Sequence, residues 1–326
     1  MFRALVLDKI DGKVVATVKS LDEAALPDFA VTARVAYSTL NYKDGLAIAD
    51  KGKIVRAFPM VPGVDWAGTV ETSADDRFKP GDKVILTGWG VGESHWGGMA
   101  EKARAKAEWL VKLPPGTDEA WAMTMGTAGF TAMLCVSALE AAGLKKDREV
   151  LVTGAAGGVG SVAVALLAKL GYAVTAATGR RALEPYLKAL GAKAVIDRAD
   201  LAKPPKPLES ERWGGVVDSV GGVTLANAIA STVSRGPVAA CGLAGGHDLP
   251  TTVMPFILRG VKLLGIDSVR SPIAERETAW RKLAALLPDG LPAGGVKTVG
   301  LAELPGLAEA IVAGQVQGRV VVDVRK

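Results

Sequence analysis

A cluster of four glycines directly follows a short run of strand-forming residues near the middle of the chain. The glycines are Gly154, Gly157, Gly158 and Gly160, and the run before them is 150–153. Glycines at such a turn let the backbone approach a ligand closely, and the unpaired N–H groups and dipole of the following helix favour an anion. The pattern therefore predicts a phosphate-binding turn between a strand and a helix.

The sequence around the turn favours a nucleotide site over a plain tight turn. A small-residue helix is expected at 161–169 and a second strand at 172–177. Together with the first strand they form a strand–helix–strand unit of about 30 residues, which is typical of dinucleotide-binding domains. We therefore predict that this unit binds a dinucleotide.

The end of the second strand indicates which dinucleotide is bound. It reads Thr-Gly-Arg-Arg at 178–181, and no acidic residue occurs between Glu149 and Glu184. NAD sites usually hold the ribose 2′-hydroxyl with an Asp or Glu, whereas NADP sites offer a cation to the 2′-phosphate. A hydroxyl and one or two guanidiniums suit that phosphate, so NADPH is expected. The alternative is that both arginines simply begin the next helix in solvent.

The composition limits the class of protein. The chain has 326 residues, 49% of them apolar, a net charge of +5 and two cysteines. This length predicts two domains, and two distant cysteines predict no disulfide framework and a reducing compartment. The scattered positive charge argues against nucleic-acid binding but suits an anionic small substrate. Without a signal-like start or a run of roughly 18 apolar residues, a cytoplasmic protein with no membrane partner is expected.

The rest of the chain must supply the elements that position the turn. Short β-rich runs separated by turn residues predict a barrel-like first domain, and strand–helix alternation from residue 127 predicts a doubly wound parallel sheet. The expected strands are 2–7, 13–18, 31–37 and 83–86 in the first part, and 194–196, 215–218, 238–241 and 262–266 after the turn. The tail at 319–324 is again strand-like, and we expect it to pair with the first domain.

Several stretches along the full length carry a family resemblance. They are 40–44, 62–65, 87–93, 95–98, 125–132 and 240–246. With the β-rich start, they resemble the medium-chain dehydrogenase/reductase superfamily, in the zinc-free quinone oxidoreductase-like branch that contains acryloyl-CoA reductase. The resemblance implies an α/β fold with two domains. They are a GroES-like β-rich barrel domain at 1–126, completed by 293–326, and a Rossmann doubly wound parallel-sheet domain at 127–292.

The resemblance also assigns cofactor contacts position by position. The positions matched to the pyrophosphate are Ala156, Gly157, Gly158 and Val159. Those matched to the 2′-phosphate are Thr178, Gly179 and Arg180, with Arg198 near the adenosine. Those matched to the nicotinamide side are Tyr42, Leu243, Ile257, Ser268 and Gly314. The superfamily further implies a homodimer, in which the two Rossmann sheets pair edge to edge.

The cysteine and histidine counts argue against a catalytic metal. Zinc alcohol dehydrogenases need Cys, His and acidic ligands at the catalytic zinc, and usually four clustered cysteines at a structural zinc. This chain has two cysteines and two histidines, with no C-x-x-C. His95 is expected to order a loop and His247 to lie in a loop near the cofactor. The prediction is therefore zinc-free chemistry.

Without zinc, the reaction must depend on NADPH for hydride and on protein donors for developing negative charge. The predicted reaction reduces the α,β-double bond of a short enoyl-CoA, most specifically acryloyl-CoA to propanoyl-CoA. By resemblance, Asn41, Tyr42 and Lys43 face the cleft that holds the nicotinamide. Tyr42 is the first candidate for donating to the enolate, with Asn41 beside it. Packing against the cofactor with no proton role is an equal alternative for Tyr42, and Asp44 is expected to order the loop.

Three other functions stay open at this point. A quinone or enone reductase of the same superfamily would share the cofactor site and lack CoA contacts. A nucleotide-binding sensor would keep the fold without turnover, and a nucleic-acid-binding protein is poorly served by the modest charge. The basic run at 51–56, K-G-K-I-V-R, is placed to meet CoA phosphates, although a solvated face is the commoner meaning of such a run.

Overall fold

The computed structural model describes all 326 residues and divides into two compact units. The first unit comprises Met1–Thr127, Ser268–Gly290 and Val296–Lys326, and the second comprises Ala128–Asp267 and Leu291–Gly295. The strands are β1 (Phe2–Ile10), β2 (Lys13–Leu21), β3 (Val31–Thr39), β4 (Asp65–Ser73), β5 (Lys83–Thr87), β6 (Lys102–Ala105), β7 (Leu110–Lys112), β8 (Glu149–Val152), β9 (Val174–Thr178), β10 (Ala194–Asp197), β11 (Trp213–Asp218), β12 (Pro237–Ala240), β13 (Lys262–Gly265), β14 (Val296–Val299) and β15 (Arg319–Asp323). The helices are α1 (Tyr42–Ile48), α2 (Glu119–Ala141), α3 (Gly158–Lys169), α4 (Glu184–Ala189), α5 (Gly222–Ala230), α6 (Met254–Arg259), α7 (Ile273–Leu286) and α8 (Leu304–Val312).

The first unit is built on a seven-stranded sheet. The strand order is β14-β15-β3-β4-β5-β7, β6 pairs with β3, and β1 and β2 form a separate antiparallel hairpin. Apolar side chains from several of these strands, such as Val35, Trp66 and Leu86, are buried together in one core. The last strand, β15, pairs antiparallel with β3, with Val321 opposite Thr39. The predicted return of the tail to the first domain is therefore confirmed.

The second unit holds a six-stranded parallel sheet. Its order is β10-β9-β8-β11-β12-β13, which is the doubly wound order in which the chain reverses direction beside its first strand. The central strands are buried along their length, as expected for a parallel sheet with helices on both faces. The carboxyl ends of β8 and β11 meet at the switch point, where α/β sheets bind ligands. The predicted doubly wound sheet is confirmed.

The division into units differs from the predicted domain boundary at residue 293. Ser268–Gly290, which the prediction places in the Rossmann domain, belongs to the first unit. The reason lies in Arg276 on α7, which is 1% exposed. Its guanidinium donates to the carbonyls of Thr87 (2.6 Å) and Val269 (2.8 Å) and lies 4.6 Å from the Trp89 ring centre. Separating this buried cation from its partners would leave a buried charge unpaired, which costs free energy. Arg276 therefore holds α7 in the first unit.

Helix α2 is the one helix long and apolar enough, by length and composition, to cross a membrane. No such segment is expected from the sequence. The helix is interrupted at Gly126, which has non-helical backbone angles (φ 51°, ψ −159°). In addition, 72% of its most apolar 18-residue window is buried inside the protein. A mostly buried, broken helix is typical of the core of a globular protein.

Candidate active site

After the glycine turn, the backbone N–H groups in the first turn of α3 have no acceptor within the protein. Gly157 precedes the helix, and no side chain caps it. Ser161 is the first residue of the helix whose N–H reaches a carbonyl, that of Gly157, at 2.9 Å. The three N–H groups before it, at 158–160, therefore point out of the helix with the positive end of its dipole. This is the arrangement that binds a phosphate, and it fits the pyrophosphate contacts predicted here.

Two of the glycines in the turn are required by close approach. A side chain on Gly160 would place its Cβ 2.3 Å from the Gly154 carbonyl oxygen and 2.6 Å from the Ala155 Cα. Gly154 has a positive φ of 58°, and a Cβ there would lie 2.6 Å from the Ser219 hydroxyl. The helix and strand can pack this tightly only if both positions lack a side chain.

The residues predicted for the 2′-phosphate come together at the end of β9. The Arg180 N–H donates to the Thr178 hydroxyl (3.1 Å), and its guanidinium donates to the Ala156 carbonyl of the glycine turn (3.3 Å). A Cβ on Gly179 would lie 2.5 Å from the Arg198 Nε, so the Arg198 side chain packs directly on this glycine. Two guanidiniums and one hydroxyl thus belong to the end of β9 and the residues packed on it, and these groups suit a phosphate dianion.

The neighbouring Arg181 points away from this position. Its guanidinium donates to the Val195 carbonyl (3.2 Å) and lies 3.8 Å from the Glu184 carboxylate. Of the two adjacent arginines only Arg180 faces the turn, and burial lowers the pKa of its guanidinium without neutralising it. The second cation of the site is Arg198 rather than Arg181.

The switch point holds a buried carboxylate, Asp218, which is not among the site residues predicted from the sequence. Asp218 ends β11, is fully buried, and accepts hydrogen bonds from the Thr153 hydroxyl (2.6 Å) and the Gly221 N–H (2.7 Å). Burial raises the pKa of Asp218, while these donors oppose the shift. Its carbonyl accepts from the Cys241 N–H at 2.9 Å, so one residue ties the ends of β8, β11 and β12 together. A lone Asp after an apolar strand is the sequence signal that could have marked it.

The residues predicted for the nicotinamide side are spread over both units. In the second unit, Leu243 is 62% exposed in the loop after β12, and Ile257 is 71% exposed on α6. In the first unit, Ser268 is half-buried and its carbonyl accepts from Arg276 (3.1 Å). Gly314 follows α8 with a positive φ of 69°, which only glycine adopts without strain. Their contacts with the cofactor stay predictions.

Tyr42 begins helix α1, where the sequence predicts a loop. Its side chain is 37% exposed. The preceding residue, Asn41, caps the helix, and its backbone N–H donates to the Asp44 carboxylate at 2.9 Å. The Asp44 carboxylate also accepts from the N–H groups of Gly63 (3.2 Å) and Val64 (3.0 Å). Asp44 therefore orders this segment, as predicted, and holds Tyr42 at an accessible position.

Both polar atoms of the Asn41 side chain form hydrogen bonds within the protein. Its amide nitrogen donates to the Thr39 hydroxyl (2.8 Å) and to the Asp65 carboxylate (3.1 Å). Its oxygen accepts from the Arg319 guanidinium at 3.2 Å. In this arrangement neither amide hydrogen is available to a substrate, which favours a positioning role for Asn41. The predicted catalytic role of Asn41 has no direct support in these contacts.

Beneath Asn41 lies a buried charged cluster that we call the Asp65 network, made of Thr39, Asn41, Asp65, Thr127 and Arg319. The Asp65 carboxylate accepts from the Thr39 hydroxyl (2.7 Å) and the Thr127 N–H (2.7 Å), and it is 0% exposed. Arg319 is 2% exposed and donates to the Thr124 carbonyl (3.1 Å). Burial and the nearby Asp65 charge raise the pKa of Asp44 to about 7. These groups hold the N-terminal end of α1 in place through Asn41.

The two histidines lie apart from these residues. His95 packs against the rings of Phe29 (5.6 Å between centres) and Trp109 (5.0 Å), and burial, with the Lys106 charge, lowers its pKa. His247 is exposed and lies 3.6 Å from the Asp248 carboxylate. The structure contains no group of three or more His, Cys, Asp or Glu side chains arranged to hold a metal ion.

A doubly wound nucleotide-binding unit and an antiparallel β-rich unit in one chain define a two-domain, nicotinamide-dependent oxidoreductase. Residues 27–115 match the model of the alcohol dehydrogenase GroES-like domain, and residues 158–286 match that of the zinc-binding dehydrogenase domain. The chain belongs to the medium-chain dehydrogenase/reductase superfamily, in the zinc-free branch that contains acrylyl-CoA reductase. The GroES-like and Rossmann fold class is therefore confirmed.

Full-length relatives resemble the chain closely. The probable acrylyl-CoA reductase AcuI of Escherichia coli (strain K12) is 56% identical over 99% of both chains. The acrylyl-CoA reductase AcuI of Ruegeria pomeroyi is also 56% identical over 99% of both chains.

Solved structures of relatives superimpose well on this one. The yhdH oxidoreductase from Salmonella enterica in complex with NADP has a TM-score of 0.95 and 54% identity over 99% of both chains. The Bacillus subtilis protein yhfP with NAD bound has a TM-score of 0.95 and 46% identity, again over 99% of both chains.

Proposed function

We propose that this protein catalyses the NADPH-dependent reduction of the α,β-double bond of a short enoyl-CoA, specifically acryloyl-CoA to propanoyl-CoA. The observation that carries the proposal is 56% identity, over 99% of both chains, to two proteins named as acrylyl-CoA reductases. The free N–H groups at the start of α3 and the paired arginines at the end of β9 support the same conclusion. The first unit would carry the substrate-facing residues and the second the cofactor.

The choice of NADPH over NADH depends on Arg180 and Arg198. The Salmonella relative, solved with NADP, is 54% identical to this chain, and the Bacillus relative, solved with NAD, is 46% identical. In this chain the position at the end of β9 offers two guanidiniums, and Arg198 packs on Gly179 with no room for a side chain there. A 2′-phosphate would gain charge-assisted hydrogen bonds that a 2′-hydroxyl cannot form.

NADPH, when bound, supplies the hydride that adds to Cβ of the substrate. Negative charge then develops on the thioester oxygen as an enolate, and a proton must reach Cα. Tyr42 is the proposed donor to that oxygen, because it is exposed on an otherwise rigid helix start. Asp44 and the Asp65 network hold this helix start in place, so the hydroxyl would need little reorganisation as charge develops.

Tyr42→Phe is expected to lower kcat by about 10- to 100-fold with little change in the KM for NADPH, because only the donor to the developing charge is lost. Steady-state kinetics with acryloyl-CoA would measure both constants. Tyr37→Phe is the matched control, since the Tyr37 hydroxyl contacts only the Arg325 guanidinium at the surface (3.3 Å). An unchanged kcat in Tyr42→Phe would leave Tyr42 with a packing role.

The proposed reaction can be tested by isotope transfer. NADPH that carries deuterium at the transferred position should give propanoyl-CoA with one deuterium at Cβ, detected by mass spectrometry. The same reaction with unlabelled NADPH in D₂O should place one deuterium at Cα. Absence of label at Cβ, with reduction of a quinone instead, would overturn the enoyl-CoA assignment.

We also propose a soluble, cytoplasmic homodimer that pairs through the β13 edge of the second unit. Strand β13 ends the sheet, so one side of its backbone lies free. The adjacent α6 exposes Leu258 at 61%, beside Val253 at 65% and Leu263 at 38%. An exposed apolar patch next to an unpaired edge suits a second copy of the chain.

Leu258→Asp is expected to convert the dimer to a monomer, because the substitution places a charge within the proposed apolar contact. Light scattering coupled to gel filtration would report half the wild-type mass. Val18→Asp, in the hairpin of the first unit and 41% exposed, is the control and should leave the mass unchanged. A wild-type protein that is already monomeric would contradict the proposal.

A further inference from the structure

The basic run at 51–56 follows directly after the helix that begins at Tyr42. Helix α1 has 7 residues and ends about 10 Å along its axis from Tyr42, and the run begins three residues after that end. The chain then turns back, because the Arg56 N–H donates to the Glu93 carbonyl at 2.8 Å. The Glu93 carboxylate in turn pairs with Lys43 at 2.8 Å, the residue next to Tyr42. The run is therefore held beside the proposed substrate-facing helix and not on a detached loop.

The charges of this run are not equivalent. Lys51 forms an ion pair with Glu309 on α8. Lys53 and Arg56 are both exposed, and their side chains form no ion pair or hydrogen bond within the protein. The nearest acidic residue in the chain, Asp50, accepts from the Val14 N–H at 3.2 Å. Two cations thus remain available to an anionic ligand, whereas Lys51 already pairs with Glu309.

The proposed substrate carries its anionic groups far from the double bond that reacts. In a CoA ester the 3′-phosphate and the diphosphate lie at the opposite end of the pantetheine arm from the thioester. Phosphates that belong to a substrate reacting near Tyr42 must therefore bind at a distance from Tyr42. Cations at the far end of α1 meet that requirement, and an enone or quinone, which has no phosphate, would gain nothing from them.

We infer that Lys53 and Arg56 bind the phosphates of the CoA substrate and so determine its selection over acceptors without phosphate. The inference rests on the proposed function for the reaction itself. It assigns no contact to Lys43 or Lys51, whose charges are engaged with Glu93 and Glu309. Binding at exposed cations is screened by salt, so the effect should be strongest at low ionic strength.

The test compares two substrates that share the acryloyl thioester and differ in the phosphate-bearing end, acryloyl-CoA and acryloyl-pantetheine. The double variant Lys53→Gln/Arg56→Gln should raise the KM for acryloyl-CoA by about tenfold or more at low salt and leave kcat nearly unchanged. Its kinetics with acryloyl-pantetheine should match those of the wild type. The control Lys51→Gln, which removes one positive charge from the same loop, should alter neither substrate.

Two results would overturn the inference. One is an unchanged KM for acryloyl-CoA in the double variant, which would make the run a solvated face. The other is an equal loss with both substrates, which would indicate a disturbed loop. Calorimetric titration of CoA into the wild type and the double variant measures binding at this site without turnover. If the wild type fails to reduce acryloyl-CoA, the proposed function fails, while weaker CoA binding by the variant would still support the phosphate site.

Discussion

The double variant Arg180→Ala/Arg198→Ala is expected to lower kcat/KM for NADPH by about 1000-fold, with a change of only a few fold for NADH. Each guanidinium can give the 2′-phosphate a charge-assisted hydrogen bond worth about 1.5–3 kcal/mol, and NADH has no group to lose there. The basis is geometric. Arg180 reaches back to the Ala156 carbonyl, and the Arg198 Nε lies 2.5 Å from the position that a Cβ on Gly179 would take.

Arg181→Ala is the matched control for this result. Arg181 is adjacent in sequence and carries the same charge, but it pairs with Glu184 and the Val195 carbonyl. We expect its kcat/KM values for both cofactors to stay near those of the wild type. Equal losses for NADPH and NADH in the double variant would contradict the assignment of the 2′-phosphate to these residues. Initial rates at varied cofactor concentration measure every quantity needed.

Asp65→Ala is expected to lower the free energy of unfolding by about 3 kcal/mol or more. The substitution would remove the buried acceptor of the Thr39, Asn41 and Thr127 donors. Removal of one member of a buried charged group is strongly destabilising, because the remaining members stay desolvated and unpaired. Urea unfolding followed by circular dichroism would measure the change.

Two further variants sharpen the test of the Asp65 network. Asp65→Asn keeps the shape and one acceptor oxygen, so its loss should be smaller than that of Asp65→Ala. Asp75→Ala removes a surface carboxylate that pairs with Arg77, and it should leave the unfolding midpoint nearly unchanged. If Asp65→Ala and Asp75→Ala unfolded at the same urea concentration, the network would have no structural importance.

The fold and the geometry of the glycine turn could be predicted because their signals are local in sequence. The glycine turn, its flanking strands and the Thr-Gly-Arg-Arg end of β9 lie within 150–181, and each depends on backbone geometry that particular residue types impose. Strand β4 is harder to predict, because its sequence contains Gly68. The structure explains this glycine, since a Cβ there would lie 2.2 Å from the Arg34 carbonyl oxygen.

The contacts that could not be predicted from the sequence join residues far apart in the chain. Asn41 and Arg319 are separated by 278 positions, and Arg276 and Thr87 by 189, so no periodicity or spacing could indicate that they meet. For the same reason the predicted boundary at residue 293 misses the segment that Arg276 binds to the first unit. Arg198 is expected from the family resemblance, but its packing on Gly179 is visible only in the structure.

The most direct test of enoyl-CoA reduction by NADPH compares kcat/KM for acryloyl-CoA, crotonyl-CoA and a simple quinone, each with NADPH and with NADH. The loss of reduced-nicotinamide absorbance measures all of these reactions in one format. We predict that acryloyl-CoA with NADPH exceeds both the quinone and every NADH reaction by orders of magnitude. A quinone preference, or no NADPH oxidation with any of the three acceptors, would contradict the proposed function.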